Sequence, residues 1–181
     1  ATGFGIVVID PIKREVKETY FPTSNNEGVS DIGFSGDSIF AITNTKLLYA
    51  NVNSAALGDF SNWTQDNRVP IDVMGRYKDL EIIGGNIFVS KIEPDYGSDT
   101  VFRVLSAGLS PIAYRPFDFQ IKSLTTIDSK LTLNLDGGVF SYNQDYSGFS
   151  FTYNVYSGNE FVNANSSFRR DGILYIADNR N

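Results

Sequence analysis

The 181 residues carry 15 basic and 21 acidic side chains, a net charge of -6, and neither His nor Cys. An acidic balance without charge runs removes nucleic acid as an expected partner; the missing Cys excludes disulfide and thiolate chemistry, and the missing His removes the commonest general base and metal ligand. No apolar stretch nears the roughly 20 residues that span a bilayer, so no transmembrane segment is expected in this chain, while 41% hydrophobic residues suffice for a substantial core.

The chain opens with two strand-like stretches, Phe4 to Ile9 and Glu15 to Phe21, joined by Asp10-Pro11-Ile12-Lys13, where Pro suits a turn. Val29 to Trp63 then holds one whole unit. Ile32 and Phe34 alternate with polar residues, Ile39 to Ile42 is an unbroken apolar run, and Leu48, Ala50 and Val52 alternate with Leu47, Tyr49 and Asn51. These segments are too short for helices and rich in strand formers, and the turns between them, Ser35-Gly36-Asp37-Ser38 and Thr43-Asn44-Thr45-Lys46, make an antiparallel meander. Phe60-Ser61-Asn62-Trp63-Thr64 is expected as the outer strand, and a polar linker, Gln65 to Asp72, leads on. The next unit runs from Tyr77 to about Phe119, with its second connection expanded to Glu93-Pro94-Asp95-Tyr96-Gly97-Ser98-Asp99. A tighter unit, Ile121 to Tyr156, turns at Asp136-Gly137-Gly138, and Phe161 to Ala177 supplies two further strands.

The units repeat in register. Adding 48 carries Asp31, Ile32, Phe34, Gly36, Ile39, Phe40 and Ala41 onto Asp79, Leu80, Ile82, Gly84, Ile87, Phe88 and Val89. A further 44 reaches Leu124, Thr126, Asp128 and Leu131, and 43 more reaches Leu174, Tyr175 and Ile176, a period of propeller type. The second strand of each unit is apolar on successive residues, which requires burial on both faces; a blade stacked between two others provides that, whereas a sandwich strand is covered on one face. The expected fold is an all-β propeller, about four blades' worth of an incomplete ring of six to eight. It divides into a partial blade 1–21, blades 28–66, 77–119 and 121–156, and a partial blade 161–181. The mid-unit start without an initiator Met is read as an excerpt or a processed chain; pairing of the two ends into a closed four-bladed ring is the alternative.

Asp31 and Asp79 occupy matched positions on first strands, which line a propeller's channel, and are expected to bond neighbouring backbone rather than form a cation-binding ring. Glu93, Asp95, Tyr96 and Asp99 make a possible ligand or partner loop whose spacing fails the EF-hand pattern, so no metal or other cofactor is expected. Arg169-Arg170 is a possible anion contact, read otherwise as a solvated turn. Phe149, Phe151 and Tyr153 alternate with polar residues on an outer strand, as a face packing on the next blade or as a sugar-stacking platform.

Phe4-Gly5-Ile6, Asp31-Ile32-Gly33-Phe34 and Leu57-Gly58-Asp59-Phe60-Ser61-Asn62-Trp63, over Gly3 to Gln65, resemble the N-terminal propeller of the PorZ family, surface proteins of the type IX secretion system in Bacteroidetes. The resemblance implies a non-enzymatic outer-membrane, cell-surface attachment component, exported from the cytoplasm, with a periplasmic location as alternative. It would act with other attachment-complex proteins and with anionic lipopolysaccharide. Asp37-Ser38-Ile39 and Asp99-Thr100-Val101 look like the three-residue O-glycosylation signal of that phylum, expected at turns, with Ser38 and Thr100 as acceptors. Two other function classes stand beside this one: the extracellular sensor propeller of a hybrid two-component regulator, and a propeller glycosidase or lyase, for which no convergent pair of carboxylates is recognisable.

Overall fold

The computed structural model describes residues 2–25, 27–92, 99–114, 120–135, 138–143, 149–154, 156–157, 160–161 and 164–178. The first hairpin pairs β1 (Ile6–Asp10) with β2 (Glu15–Tyr20). The second blade is a four-stranded antiparallel meander of β3 (Val29–Ser35), β4 (Ser38–Thr43), β5 (Leu47–Asn51) and β6 (Thr64–Gln65). The third is β7 (Tyr77–Ile83), β8 (Asn86–Lys91), β9 (Thr100–Leu105) and β10 (Gly108–Tyr114). The fourth is β11 (Ile121–Ile127), β12 (Lys130–Leu135), β13 (Gly138–Tyr142) and β14 (Phe149–Asn154). A small pair, β15 (Tyr156–Ser157) with β16 (Glu160–Phe161), precedes the last hairpin, β17 (Ala164–Arg170) with β18 (Ile173–Asp178).

First strands begin at 29, 77, 121 and 164 and second strands at 38, 86, 130 and 173, so both follow the spacings of 48, 44 and 43 seen in the sequence. Each inner pair is closed by a two-residue turn: Gly36-Asp37, Gly84-Gly85, Asp128-Ser129 and Asp171-Gly172. The last three turns hold both residues at positive φ, as a type I′ hairpin requires; this suits Gly84-Gly85 and strains Asp128-Ser129 (φ 50° and 60°). All four first strands also carry a register shift in their opening residues, a β-bulge repeated blade by blade.

Alternation along the second strands divides the core into seams. On β4, Ile39 and Ala41 pack with Ile6, Leu48 and Trp63 beside the first hairpin, whereas Phe40 and Ile42 pack with Leu80, Ile87 and Val89 of the third blade. On β8, Ile87 and Val89 face back to the second blade and Phe88 faces forward to Leu124, Leu131, Leu133 and Phe140. That two-faced burial is the physical reason the runs Ile39 to Ile42 and Ile87 to Val89 are apolar on successive residues. The forward face of β12 differs: Thr132 and Asn134 are fully buried, Thr132 hydrogen-bonds to Ser141 of β13 at 3.0 Å, and Asn134 donates to Ser123 of β11 at 3.0 Å and accepts from Ser167 of the last hairpin at 2.5 Å.

Among the described residues the first and last hairpins are separate two-stranded sheets that do not pair with each other, so the sheets are not closed. The expected outer strand at Phe60 to Thr64 is corrected. Asp59 accepts from the Ser61 N–H at 2.9 Å and caps a single 3₁₀ turn, Phe60–Asn62, leaving the two residues of β6 as the fourth strand. Trp63 then anchors the connection, its indole N–H donating to the Leu57 carbonyl at 2.9 Å. The turn Asp136-Gly137 lies outside the described residues.

Candidate functional site

The matched bulges on the inner strands bring a set of polar side chains together across the blade seams. Asp31 on β3 accepts from the Ile32 N–H at 2.8 Å and, through its other oxygen, from the Leu80 N–H of the next blade at 3.0 Å. Asp99, just before β9, accepts from the Ile121 N–H of the fourth blade at 3.0 Å. Asp79 on β7 accepts from the Ser90 hydroxyl at 2.8 Å, and that hydroxyl in turn accepts from the Asp79 N–H at 3.0 Å. Lys78 donates to the carbonyls of Ile121 at 3.0 Å and Lys122 at 2.5 Å, while Thr126 donates to Glu81 at 2.7 Å. Burial pushes the Asp79 carboxyl up to about 6, opposed by Lys78 and Ser90 and reinforced by the charges of Asp31 and Asp99; burial also raises Asp31 and Glu81. Among the described residues, no group of three or more acidic side chains is arranged to hold a metal ion. Asp31 and Asp99 are acceptors for the backbone of the following blade.

The 66–76 linker that leads into β7 is built rather than slack. The Asp66 carboxylate grips Arg68 bidentately at 2.6 to 3.2 Å, and Val69 is fully buried. Asp72, also buried, accepts from the Met74 N–H and from Arg76 Nε, both at 3.0 Å, and lies 3.3 Å from Lys91 Nζ. Backbone bonds from Asp72 to Thr45 and from Tyr77 to Asn44 stitch the linker to the β4–β5 turn. Between these clamps the side chains of Ile71, Val73 and Met74 are 55%, 88% and 70% exposed. Of the three, Met74 lines an open cleft of about 400 Å³, together with Asn44, Gly75, Arg76, Tyr77, Lys78 and Ile92. A smaller cleft of about 290 Å³ opens at the opposite end of β4, between Ser38, Phe40, Tyr49, Asp66 and Arg68.

Of the residues expected to act, Glu93, Asp95 and Tyr96 lie outside the described residues, as do the side chains of Phe149, Phe151 and Tyr153. Asp99 is buried and joins the third blade to the fourth. Arg169 and Arg170 are neighbours on β17 and so point to opposite faces. Arg169 pairs with Asp128 on the hairpin turn of the fourth blade, and Arg170 lies 3.5 Å from Asp171, so the two do not converge on one anion. Ser38 and Thr100 are the first residues of β4 and β9 rather than turn residues; Ser38 is half-buried and Thr100 only 8% exposed. The exposed linker residues were missed because the sequence presented them as a polar connection; the run Val69-Pro70-Ile71-Asp72-Val73-Met74 was the available signal.

Residues 1–64 match the family described as the type IX secretion system PorZ N-terminal β-propeller domain. None of the curated proteins matches the chain. Among solved structures, PorZ of Porphyromonas gingivalis, described as an essential bacterial surface component of the type IX secretion system, superposes with a TM-score of 0.69 at 17% identity, over 98% of this chain and 21% of its own. The extracellular domain of a protein assigned as a one-component system from B. thetaiotaomicron gives 0.64 at 14% identity, over 97% of this chain and 24% of its own. A computationally designed protein, Ika8, gives 0.56 at 10% identity, over 98% and 51%. The chain thus spans about a fifth to a quarter of the length of the two natural structures. Residues 1–64 thus match the PorZ N-terminal propeller family, and the repetition of the same blade to residue 178, with the superpositions, shows a β-propeller fold for the described chain.

Proposed function

We propose that this propeller is a non-enzymatic binding and assembly module of a type IX secretion attachment complex, exported to the outer-membrane surface, and that it engages a partner protein through the 71–76 linker and the cleft beside it. One observation carries the reading. Three apolar side chains, Ile71, Val73 and Met74, stand in solvent on a backbone already fixed by Asp66, Asp72 and the β4–β5 turn. Exposed apolar groups on a preorganised loop lose little conformational entropy on docking, and Met adapts to varied partners. Loops held at the ends of rigid strands are where propellers carry recognition. Anionic lipopolysaccharide is a second ligand on this reading; with Arg169 and Arg170 on opposite faces, it would contact one of them at a time or bind elsewhere in the parent protein.

A photo-crosslinking residue placed at Val73 in the parent protein tests the docking surface. Adducts with an outer-membrane partner are expected from position 73 and not from exposed Ile12, in the turn after β1. Equal labelling from both positions would refute the assignment. The sensor reading keeps one observation in its favour, the superposition of 97% of the chain on the extracellular domain of a one-component system. A parent protein with a membrane-spanning helix and a signalling domain would decide for it.

A further inference from the structure

We propose that Met74 is an oxidation site through which hydroperoxides switch the linker: its sulfoxide is held over the neighbouring cleft and is withdrawn from the docking surface. The effect on docking rests on the partner-binding reading of the linker; the oxidation and the capture by the cleft do not.

Composition and exposure single out this side chain. The chain has one Met and no Cys, so Met74 carries its only sulfur. The one Trp, the next most oxidisable side chain here, is 7% exposed and its indole N–H is held by the Leu57 carbonyl. Met74 is 70% exposed, and oxidation of a side chain follows its exposure. Its backbone is fixed. The Met74 N–H donates to the Asp72 carboxylate at 3.0 Å, the Gly75 N–H to the Asp72 carbonyl at 2.9 Å, and the Asp72 N–H to the Thr45 carbonyl at 2.8 Å. The sulfur is thus presented from one place, with its side-chain torsions left to change.

The oxidation is balanced by the hydroperoxide alone. The thioether sulfur gives two electrons to the O–O bond and takes one oxygen; the other oxygen leaves as water, or as an alcohol from an organic hydroperoxide. A weakly accepting, apolar tip becomes a polar one with an exposed acceptor oxygen. The cleft that Met74 lines is suited to that oxygen. Its other lining residues include three donor-bearing side chains, Asn44, Arg76 and Lys78, and no acid. The Asn44 amide oxygen accepts from Ser30 at 2.9 Å, which leaves the NH₂ as the end of that amide able to serve the sulfoxide. Bonds from a guanidinium or an ammonium are charge-assisted and favour the cleft over bulk water. With the tip turned in, Ile71 and Val73 are left as the exposed apolar pair, beside a polar group that an apolar partner surface would have to desolvate.

Dilute hydrogen peroxide is the probe. Intact mass of the treated chain should show one added oxygen, mapped to Met74. In ¹⁵N NMR spectra the side-chain N–H signals of Asn44 and Arg76 should move on oxidation and return after treatment with the two methionine sulfoxide reductases and a thiol reductant. Signals that stay in place in the fully oxidised chain overturn the capture by the cleft, whether or not a partner docks. In the parent protein carrying the photo-crosslinking residue at Val73, oxidation should lower partner adducts about tenfold, the loss expected when one apolar side chain leaves an interface. Met74→Leu, whatever its own level of adduct, should show no fall with peroxide. An equal fall in Met74→Leu, or undiminished adducts from fully oxidised protein, overturns the switch and leaves the docking reading standing. A lack of adducts even from untreated protein sinks the docking reading instead, and the NMR signals then decide the site by themselves.

Discussion

Phe88 offers the sharpest test of blade stacking. It lies at the centre of β8, is 0% exposed, and packs with Val101 of its own blade and with Leu124, Leu131, Leu133 and Phe140 of the next. Neighbouring Ile87 and Val89 face the opposite blade, so the surroundings of the ring are fixed from both sides and have little freedom to collapse into a hole. Phe88→Ala should then cost about 3–5 kcal/mol, the transfer term plus the cavity term. At roughly 2–4 °C per kcal/mol for a chain of this size, the thermal midpoint should fall by about 10 °C. Urea unfolding should show the midpoint moving with the slope unchanged, as expected when stability changes and the unfolded ensemble does not. Phe34, on β3 and 57% exposed, is the control: Phe34→Ala should stay within about 0.5 kcal/mol. A Phe88→Ala cost below about 1 kcal/mol would mean that the face toward the fourth blade is not buried, and the stacking account would fail with it.

Gly5→Ala should be costly, because a Cβ at that position would stand 2.4 Å from the Tyr20 carbonyl oxygen, a backbone atom fixed by the β1–β2 ladder; about 2 kcal/mol or more is expected by urea titration. Ser129→Gly should stabilise by about 0.5–1 kcal/mol, since Ser129 holds φ at 60° in a turn that Gly occupies freely, and a lower thermal midpoint would contradict that. Acid should loosen the linker. Burial pushes the Asp66 and Asp72 carboxyls up, but Arg68 at the first, and Arg76, the Met74 N–H and Lys91 at the second, outweigh it and hold both below the ordinary Asp range. Their stabilisation is present above the unfolded Asp value and lost as the pH falls through their folded values. A circular-dichroism pH titration should show loss of structure below about pH 3.8, delayed relative to Asp72→Asn.

The repeat was legible because side-chain pattern and backbone geometry agree there. Gly36, Gly84, Asp128 and Asp171 stand at the same position of four two-residue turns, and Ile39 to Ile42, Ile87 to Val89 and Leu131 to Leu133 fall on buried second strands. The capped turn at Phe60 was readable in principle from Asp59, whose type favours a helix N-terminus, but the aromatic residues around it gave a stronger strand signal. The inner seam was half legible. Asp31 and Asp79 matched in register, yet the partners that separate their roles lie far along the chain: Leu80 is 49 residues from Asp31, and Ile121 is 22 from Asp99. The linker was hidden for a related reason, since Thr45 and Asn44, which fix its backbone, belong to the preceding blade and leave no trace in its own composition.

The central functional claim is that the apolar linker holds a partner at the cell surface, and the most direct test alters that linker alone. Val73→Asp with Met74→Asp, introduced into the parent protein, replaces two side chains that are 88% and 70% exposed and should leave folding unchanged by circular dichroism and thermal midpoint. In cells carrying the double variant, secreted proteins that are normally attached at the surface should appear in the medium. Full retention of those proteins at the surface, with the variant folded and present in normal amount, would contradict the account.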